Sequence, residues 1–297
     1  MIHTPLIYKE HVSQQDLSVN FEHRFEDHPG MLEARYVRRT DDYFIVYLSS
    51  QTGCNQACRM CHLTATGQNK LRDVTIEEYW DQAERVLTHY AKGEHRAKMV
   101  HFNFMARGEP LANKIFLENA DTILDGLRLL AQSLGLQCKF LISTIFPKEA
   151  EAISLPQIFK DPNLYPEIYY SIYSVDERFR KRWLPKAIAP VEAIAKLRNW
   201  QMTTGKKPKI HYAFINDEND TLADVKNICD LVERFYLNVN WNVVRYNPPE
   251  GHSSKEALEG QIQYLAGYVR RRFPDARVKV IPRVGLDVKA SCGTFLK

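Results

Sequence analysis

Cys54, Cys58 and Cys61 stand as C-x-x-x-C-x-x-C within the stretch Gly53-Cys54-Asn55-Gln56-Ala57-Cys58-Arg59-Met60-Cys61. Three thiolates at this spacing can fold around one iron–sulfur cube, each holding a different iron. A 4Fe-4S cluster is normally held by four cysteines, so three leave one iron open to chelate a small molecule. In radical enzymes the usual occupant is S-adenosylmethionine, bound through its amino and carboxylate groups. Half of the six cysteines lie in this one stretch. A zinc site would use the same three thiols with His62 as fourth ligand. However, Cys61 and His62 are adjacent, neighbouring side chains rarely converge on one tetrahedral metal, and no second C-x-x-C or H-x-x-x-H completes that pattern. A disulfide framework does not suit so large a chain without a secretory signal.

The chain that must position these thiols has 297 residues, 44% hydrophobic and 26% charged, as in an ordinary globular enzyme. That length supports one barrel-sized domain with little left for a second. No run approaches the eighteen or so apolar residues of a membrane span, so no membrane partner is expected. The start, Met1-Ile2-His3-Thr4-Pro5, lacks a basic-then-apolar leader, which makes a cytoplasmic location the default. A net charge of +4 permits RNA as a partner without demanding it. Arg270, Arg271 and Arg272 read as a solvated helix face.

Residues 1–30 are polar and rich in histidine and acid, and read as a short extension with one helix; residues 31–297 form the core domain. Glu33 to Arg39 and Tyr43 to Ser49 read as strands around a Thr40-Asp41-Asp42 turn. Thr75-Ile76-Glu77-Glu78 is a capping box opening a helix to about Ala91. Strands then alternate with helices. Strands are expected at Met99–Met105, Lys139–Ser143, Ile168–Ile172, Ile210–Ile215 and Val239–Val244, with Val278–Ile281 closing. Helices are expected at Ile115–Leu134, Val191–Trp200, Leu222–Phe235 and Ser254–Phe273, the last capped near Ser254. This alternation implies right-handed crossovers, a parallel sheet and an α/β fold, a partial barrel of six β/α units. Chemistry in such architectures sits at the carboxyl ends of the strands. The cluster loop, Gly108-Glu109, Ser143, Ser171 and Asn247 all fall there.

Six motifs follow one another in a telling order: Leu48-Ser49-Ser50-Gln51-Thr52-Gly53-Cys54, Gly108-Glu109-Pro110-Leu111, Ser143-Thr144, Ser171-Ile172-Tyr173, Asn247-Pro248 and Ser291-Cys292-Gly293. From about Glu33 to the end, the chain resembles the radical S-adenosylmethionine methyltransferases that modify adenine carbon-2 or carbon-8 in ribosomal RNA, the RlmN/Cfr type. The resemblance implies a radical SAM partial (β/α)6 barrel holding a 4Fe-4S cluster and S-adenosyl-L-methionine. It implies that Gly108 lets the backbone approach the cofactor while Glu109 takes its ammonium group. Ser143 and Ser171 stand where the family binds carboxylate and ribose, and Asn247 where it reads the adenine moiety. Tyr173 stands where the family usually has histidine.

Cys292 matches the family cysteine that accepts a methyl group from one cofactor molecule. In the family a second cofactor molecule then yields a 5′-deoxyadenosyl radical, which removes hydrogen from that S-methyl group, and the carbon radical adds to the adenine. An aromatic carbon-2 is too weak a nucleophile to attack a sulfonium directly, so a tethered carbon radical is needed. The implied partners are an RNA substrate, rRNA or tRNA, and an electron donor such as flavodoxin or ferredoxin, with the protein a monomer.

Three departures mark a divergent member. The family carries a further catalytic cysteine seven residues before the first cluster cysteine, which releases the protein–RNA adduct by forming a disulfide with the methyl carrier; here that position is Tyr47. A phenol cannot form a disulfide, which leaves Cys138, Cys229 or an external thiol to substitute, although Cys138 and Cys229 both read as core residues. The region before the cluster is shorter than the helical domain with which family members hold RNA. Thr66-Gly67-Gln68 is displaced by an insertion at His62 to Thr64, and Met60 replaces the usual aromatic residue. Beside the RNA adenine methyltransferase reading stand a radical enzyme of different outcome, motivated by Tyr47, and a non-enzymatic nucleic-acid-binding protein with a structural metal.

Overall fold

A computed structural model describes residues 6–297; the first five, where a leader was sought, lie outside the described residues. Among the described residues ten strands form one sheet in chain order. They are β1 (Lys9–Val12), β2 (Val19–Arg24), β3 (Met31–Arg38), β4 (Tyr43–Tyr47), β5 (Met99–Phe104), β6 (Gln137–Thr144), β7 (Glu167–Ser171), β8 (Lys209–Tyr212), β9 (Asn240–Val243) and β10 (Val278–Val280). The first four pair antiparallel, and from β4 onward every pairing is parallel. This is the partial β/α barrel that the alternation implied.

The helices are α1 (His62–Ala65), α2 (Ile76–Lys92), α3 (Lys114–Ser133), α4 (Leu155–Ile158), α5 (Glu177–Trp183), α6 (Pro190–Thr204), α7 (Leu222–Arg234) and α8 (Glu259–Arg272). The capping box at α2 forms as read: Glu78 N–H donates to Thr75 Oγ1 at 3.3 Å, and Thr75 N–H donates to Glu78 Oε2 at 3.0 Å. Between the helices and the outer face of the strands lies a single large core, which includes Phe102, Phe116, Leu127, Trp200, Ile228 and Leu265. Such contiguous apolar burial is what holds a domain of this size together.

Three expectations fail in whole or in part. Residues 6–30 hold no helix; the segment is the hairpin β1–β2, which extends the sheet beyond β3. Val19 and Phe21 point into the core, and the polar residues between them are buried because they are paired. Asn20 donates to Glu33 Oε2 at 2.7 Å, and Glu22 accepts from His11 at 2.7 Å. The last helix starts at Glu259, not at Ser254. Ser254 Oγ is instead bonded to the Tyr246 hydroxyl at 2.6 Å and to His252 at 2.5 Å, and Glu256 bridges to Ile215, so the backbone there is extended. Arg272, read as solvated, pairs with Asp230 and Glu233 of α7 at 2.5 Å each.

Candidate active site

The loop leaving β4 is held open by its neighbours before it reaches the thiols. Ser50 N–H donates to the Arg107 carbonyl at 2.7 Å, and Cys54 N–H to the Gln68 carbonyl at 3.1 Å. Thr66-Gly67-Gln68 therefore still closes the loop despite the insertion. Ala57 takes a left-handed φ of 56° between the first two thiols. Cys61 N–H donates to the Cys58 carbonyl at 3.0 Å, which turns the chain back and sets the two cysteines beside each other.

Burial and the neighbouring thiols push all three thiol pKa values up, Cys54 to about 12. Thiols so placed stay protonated alone and become ligands only when a metal displaces the proton. Among the described residues, no three His, Cys, Asp or Glu side chains converge on one point that could hold a single metal ion. Three ligands that each take a different corner of a cube need no such point. The zinc arrangement is not assembled either, because the buried His62 ring lies against the backbone of Asn247 and Pro248. Met60, Ile145, Phe179, Trp183 and Tyr246 form a second apolar cluster against which Cys58 and Tyr173 pack. That wall covers one side of the partly exposed Cys58, and an apolar shell of this kind tunes a cluster's potential.

Glu109 follows β5 and fits an ammonium ligand. It is 6% exposed and, among the described residues, has no Lys or Arg partner. Its oxygens accept from the backbone of Leu111 and Ile145, each at 3.2 Å, and from Thr144. Burial raises its pKa to about 7, so a cation arriving there would stabilise the carboxylate. Gly108 is needed at its place: φ is +90°, and a Cβ would lie 2.6 Å from Gln51 N.

Ser143 and Ser171 sit at the ends of β6 and β7, with Tyr169 paired to Ser143 and His211 paired to Ser171. Thr144, not singled out from the sequence, makes the contact with Glu109. Tyr173 (φ 54°) stands among Cys58, Cys61 and Cys292, whose charges would each oppose its ionisation. Asn247 spends its amide on the tail: Nδ2 donates to the Cys292 carbonyl at 2.8 Å, and Oδ1 accepts from Arg283 at 2.8 Å.

The tail brings Cys292 to the cluster loop. His62 N–H donates to the Gly293 carbonyl at 3.3 Å, and Cys292 lies close enough to Cys61 for its charge to oppose ionisation of the Cys61 thiol. A buried ionic group that sequence reading missed fastens this junction. Glu33, 0% exposed, binds Arg35 at 2.9 Å and Arg107 at 2.8 Å. Arg35 donates to the Thr294 carbonyl at 2.7 Å, and Leu296 N–H to Glu33 Oε1 at 3.1 Å. Arg107 also donates to Gln68 of the cluster loop. One carboxylate thus ties β3, the cluster loop and the tail together.

Tyr47 and Cys292 line one cavity of about 770 Å³ inside the barrel. Eight Lys or Arg residues line it against Asp42 and Glu167. Cys138 and Cys229 do not: Cys138 packs on the outer face of β6, and Cys229 is in the core under α7.

No protein-family model matches the chain. It is 29% identical over 259 residues to a probable dual-specificity RNA methyltransferase RlmN of Parasynechococcus marenigrum, covering 86% of this chain and 70% of that one. It is 28% identical over 296 residues to the ribosomal RNA large subunit methyltransferase Cfr of Staphylococcus warneri, covering 96% and 77%. The fold matches the crystal structure of a radical SAM methyltransferase from Sphaerobacter thermophilus with a TM-score of 0.82 at 19% identity, over 98% of this chain and 81% of that one. Fold and relatives together define a radical S-adenosylmethionine enzyme of the methyltransferase class, served by a 4Fe-4S cluster. Within that class the chain is similar, over most of its length, to proteins of the RlmN/Cfr type. Among the described residues no helix is long and apolar enough to cross a membrane.

Proposed function

We propose that this chain methylates an adenine base in RNA, with Cys292 as the carrier of the transferred carbon. The observation that carries this reading is the placement of Cys292: more than two hundred residues after the cluster loop, it is held beside Cys61 and on the wall of a cationic cavity. A structural cysteine has no need of both neighbours. The excess of Lys and Arg in the cavity supports a polyanionic substrate, since phosphate neutralisation dominates nucleic-acid affinity.

In this reading Cys54, Cys58 and Cys61 hold the cluster, and Glu109 with Gly108 holds the cofactor's ammonium end. Ser143, Ser171 and Tyr173 line the remainder of the cofactor site. Bound there, the cluster would supply one electron, drawn from an external donor, and the cofactor the carbon–sulfur bond that this electron cleaves. Met60, Tyr173 and Trp183 exclude water from that chemistry. Burial pushes the Cys292 thiol pKa up by more than Arg35 and Arg39 lower it, so the resting sulfur is a thiol that must give up its proton on taking the methyl group. Asn247 fixes the carrier's carbonyl and hence its approach to the cavity. The electron donor is a flavodoxin or ferredoxin, and the enzyme works as a cytoplasmic monomer.

One observation favours a second reading, a radical enzyme of different outcome. Tyr47 lines the same cavity as the carrier but is no thiol, and neither Cys138 nor Cys229 faces that cavity to release a covalent adduct. Mass analysis of Cys292 after anaerobic incubation with S-adenosylmethionine separates the readings from a merely structural thiol. An S-methyl group on Cys292 supports carbon transfer; an unmodified thiol with ample cofactor removes it.

A further inference from the structure

We propose that the barrel lumen beside Cys292 is a compartment for the acceptor nucleotide, in which Asn103 and His211 read the edge of the base and Arg39 takes an adjoining phosphate. The inference rests on the RNA methyltransferase reading and names the residues that would select its substrate.

A β/α barrel normally fills its interior with layers of branched aliphatic side chains. This one does not. The inward positions of β5, β7 and β8 include Asn103, Tyr169 and His211, and the space they leave is about 770 Å³. That lies within the roughly 300–1,000 Å³ of small-molecule sites. Cys54, Cys58, Cys61 and Glu109 are not on its wall, whereas Cys292 is. The cofactor and acceptor compartments therefore adjoin at the one sulfur that must serve both.

Two side chains in the lumen, Asn103 and Arg39, carry a buried polar atom without a hydrogen-bond partner, and a third, His211, lies buried beside them. Asn103 is 3% exposed, and its Oδ1 has no hydrogen-bond partner. An unpaired buried acceptor is costly, and in native proteins it calls for a partner such as a water, an ion or a ligand group. A side-chain amide is also the group that pairs with both hydrogen-bonding atoms on one edge of adenine. His211 is 5% exposed and packs edge-on to Tyr169 at 5.3 Å. Burial, helped by Lys209 and Arg39, lowers its pKa to about 3, so the ring is neutral and offers one donor and one acceptor.

Arg39 supplies the charged end. Its guanidinium touches the Tyr47 hydroxyl at 3.4 Å, and its Nε is buried without a partner. The acidic groups that act most strongly on it are Tyr47, Tyr43 and Cys292, none of them a carboxylate. A guanidinium left uncompensated in a cavity is matched by an anion, and its planar fork suits a phosphate. A neutral hydrogen-bonding edge beside one fixed cation is the outline of a nucleotide. A base must leave its stack to enter such a site.

Fluorescence anisotropy with the full-length protein tests this, using a short adenine-containing single-stranded oligoribonucleotide and the same strand with the target base removed. Wild type should bind the base-containing strand about tenfold more tightly, the scale of one good base contact. Asn103→Leu and, independently, His211→Phe should bring that ratio to within about twofold while leaving the abasic affinity alone. Arg39→Gln should weaken both strands alike and reduce the salt dependence by about one counterion. Iron content and melting temperature show whether each variant folds; two base-reading variants keep the test open if one does not. Wild-type discrimination in both, or an Arg39→Gln protein with unchanged affinity, overturns the proposal. Base discrimination that depends on Asn103 without any methylated RNA would overturn the methyltransferase reading and leave this one standing.

Discussion

Replacing Glu33 with glutamine removes the single negative charge at a point where two guanidiniums converge. Glu33 is 0% exposed, and Arg35 and Arg107 are each 1% exposed, so water cannot take the place of the carboxylate. The amide can still accept a hydrogen bond, but two buried cations remain unneutralised. Removing one partner of a buried pair costs about 3–5 kcal/mol. For a domain of this size each kcal/mol moves the midpoint by about 1.5–2 °C, so Glu33→Gln should melt about 5–10 °C lower. Burial raises the Glu33 pKa, but Arg35, Arg107 and the Asn20 amide outweigh it, and the folded value lies below the ordinary one. The stabilisation is therefore complete above the unfolded carboxylate pKa and is lost as pH falls through the folded pKa. The difference from wild type should be flat near neutrality and shrink only in acid. Because Glu33 and Arg35 also hold Leu296, Thr294 and Ser291, the variant should expose Cys292 to alkylation faster than wild type. Calorimetry across pH, with mass-resolved alkylation kinetics, measures both. A midpoint within about 2 °C of wild type and an unchanged Cys292 alkylation rate would refute the reasoning.

Alanine at Cys54, Cys58 or Cys61 should each abolish iron binding and the absorption near about 400 nm after anaerobic reconstitution; a zinc-loaded protein of unchanged metal content would contradict the cluster. Glu109→Gln should weaken equilibrium binding of S-adenosylmethionine at least about tenfold, the scale of a lost charge-assisted hydrogen bond, with iron content unaffected. Gly108→Ala should lower the melting temperature and cofactor affinity together, because its Cβ would meet Gln51 N at 2.6 Å. Tyr47→Cys should permit a disulfide between the introduced thiol and Cys292 on mild oxidation, seen by non-reducing peptide mapping, since both positions line one cavity.

Local features proved readable from sequence. The thiol spacing, the Thr75–Glu78 capping box and the alternation of strand and helix each follow from contacts a few residues apart. Pairings across the chain were hidden. Asn20, Glu22, Glu33 and Arg35 look like solvent-facing strand residues until their partners, some more than two hundred residues away, neutralise them in the interior. For that reason the hairpin at residues 9–24 reads as an extension with a helix. Ser254 looks like a cap because nothing local reveals its bonds to Tyr246 and His252. Asn103 and His211 fit their strands by alternation, yet only the closing of the sheet shows that their faces enclose a cavity rather than a packed core.

The central claim is that Cys292 carries a carbon from S-adenosylmethionine to an adenine in RNA. The most direct measurement incubates the reconstituted protein anaerobically with methyl-labelled S-adenosylmethionine, a reductant and total RNA, then resolves the nucleosides by mass. The account predicts labelled methyladenosine with wild type and none with Cys292→Ala at equal cluster content. Label in RNA that survives Cys292→Ala, or cofactor cleavage by wild type with every nucleoside unlabelled, would contradict it.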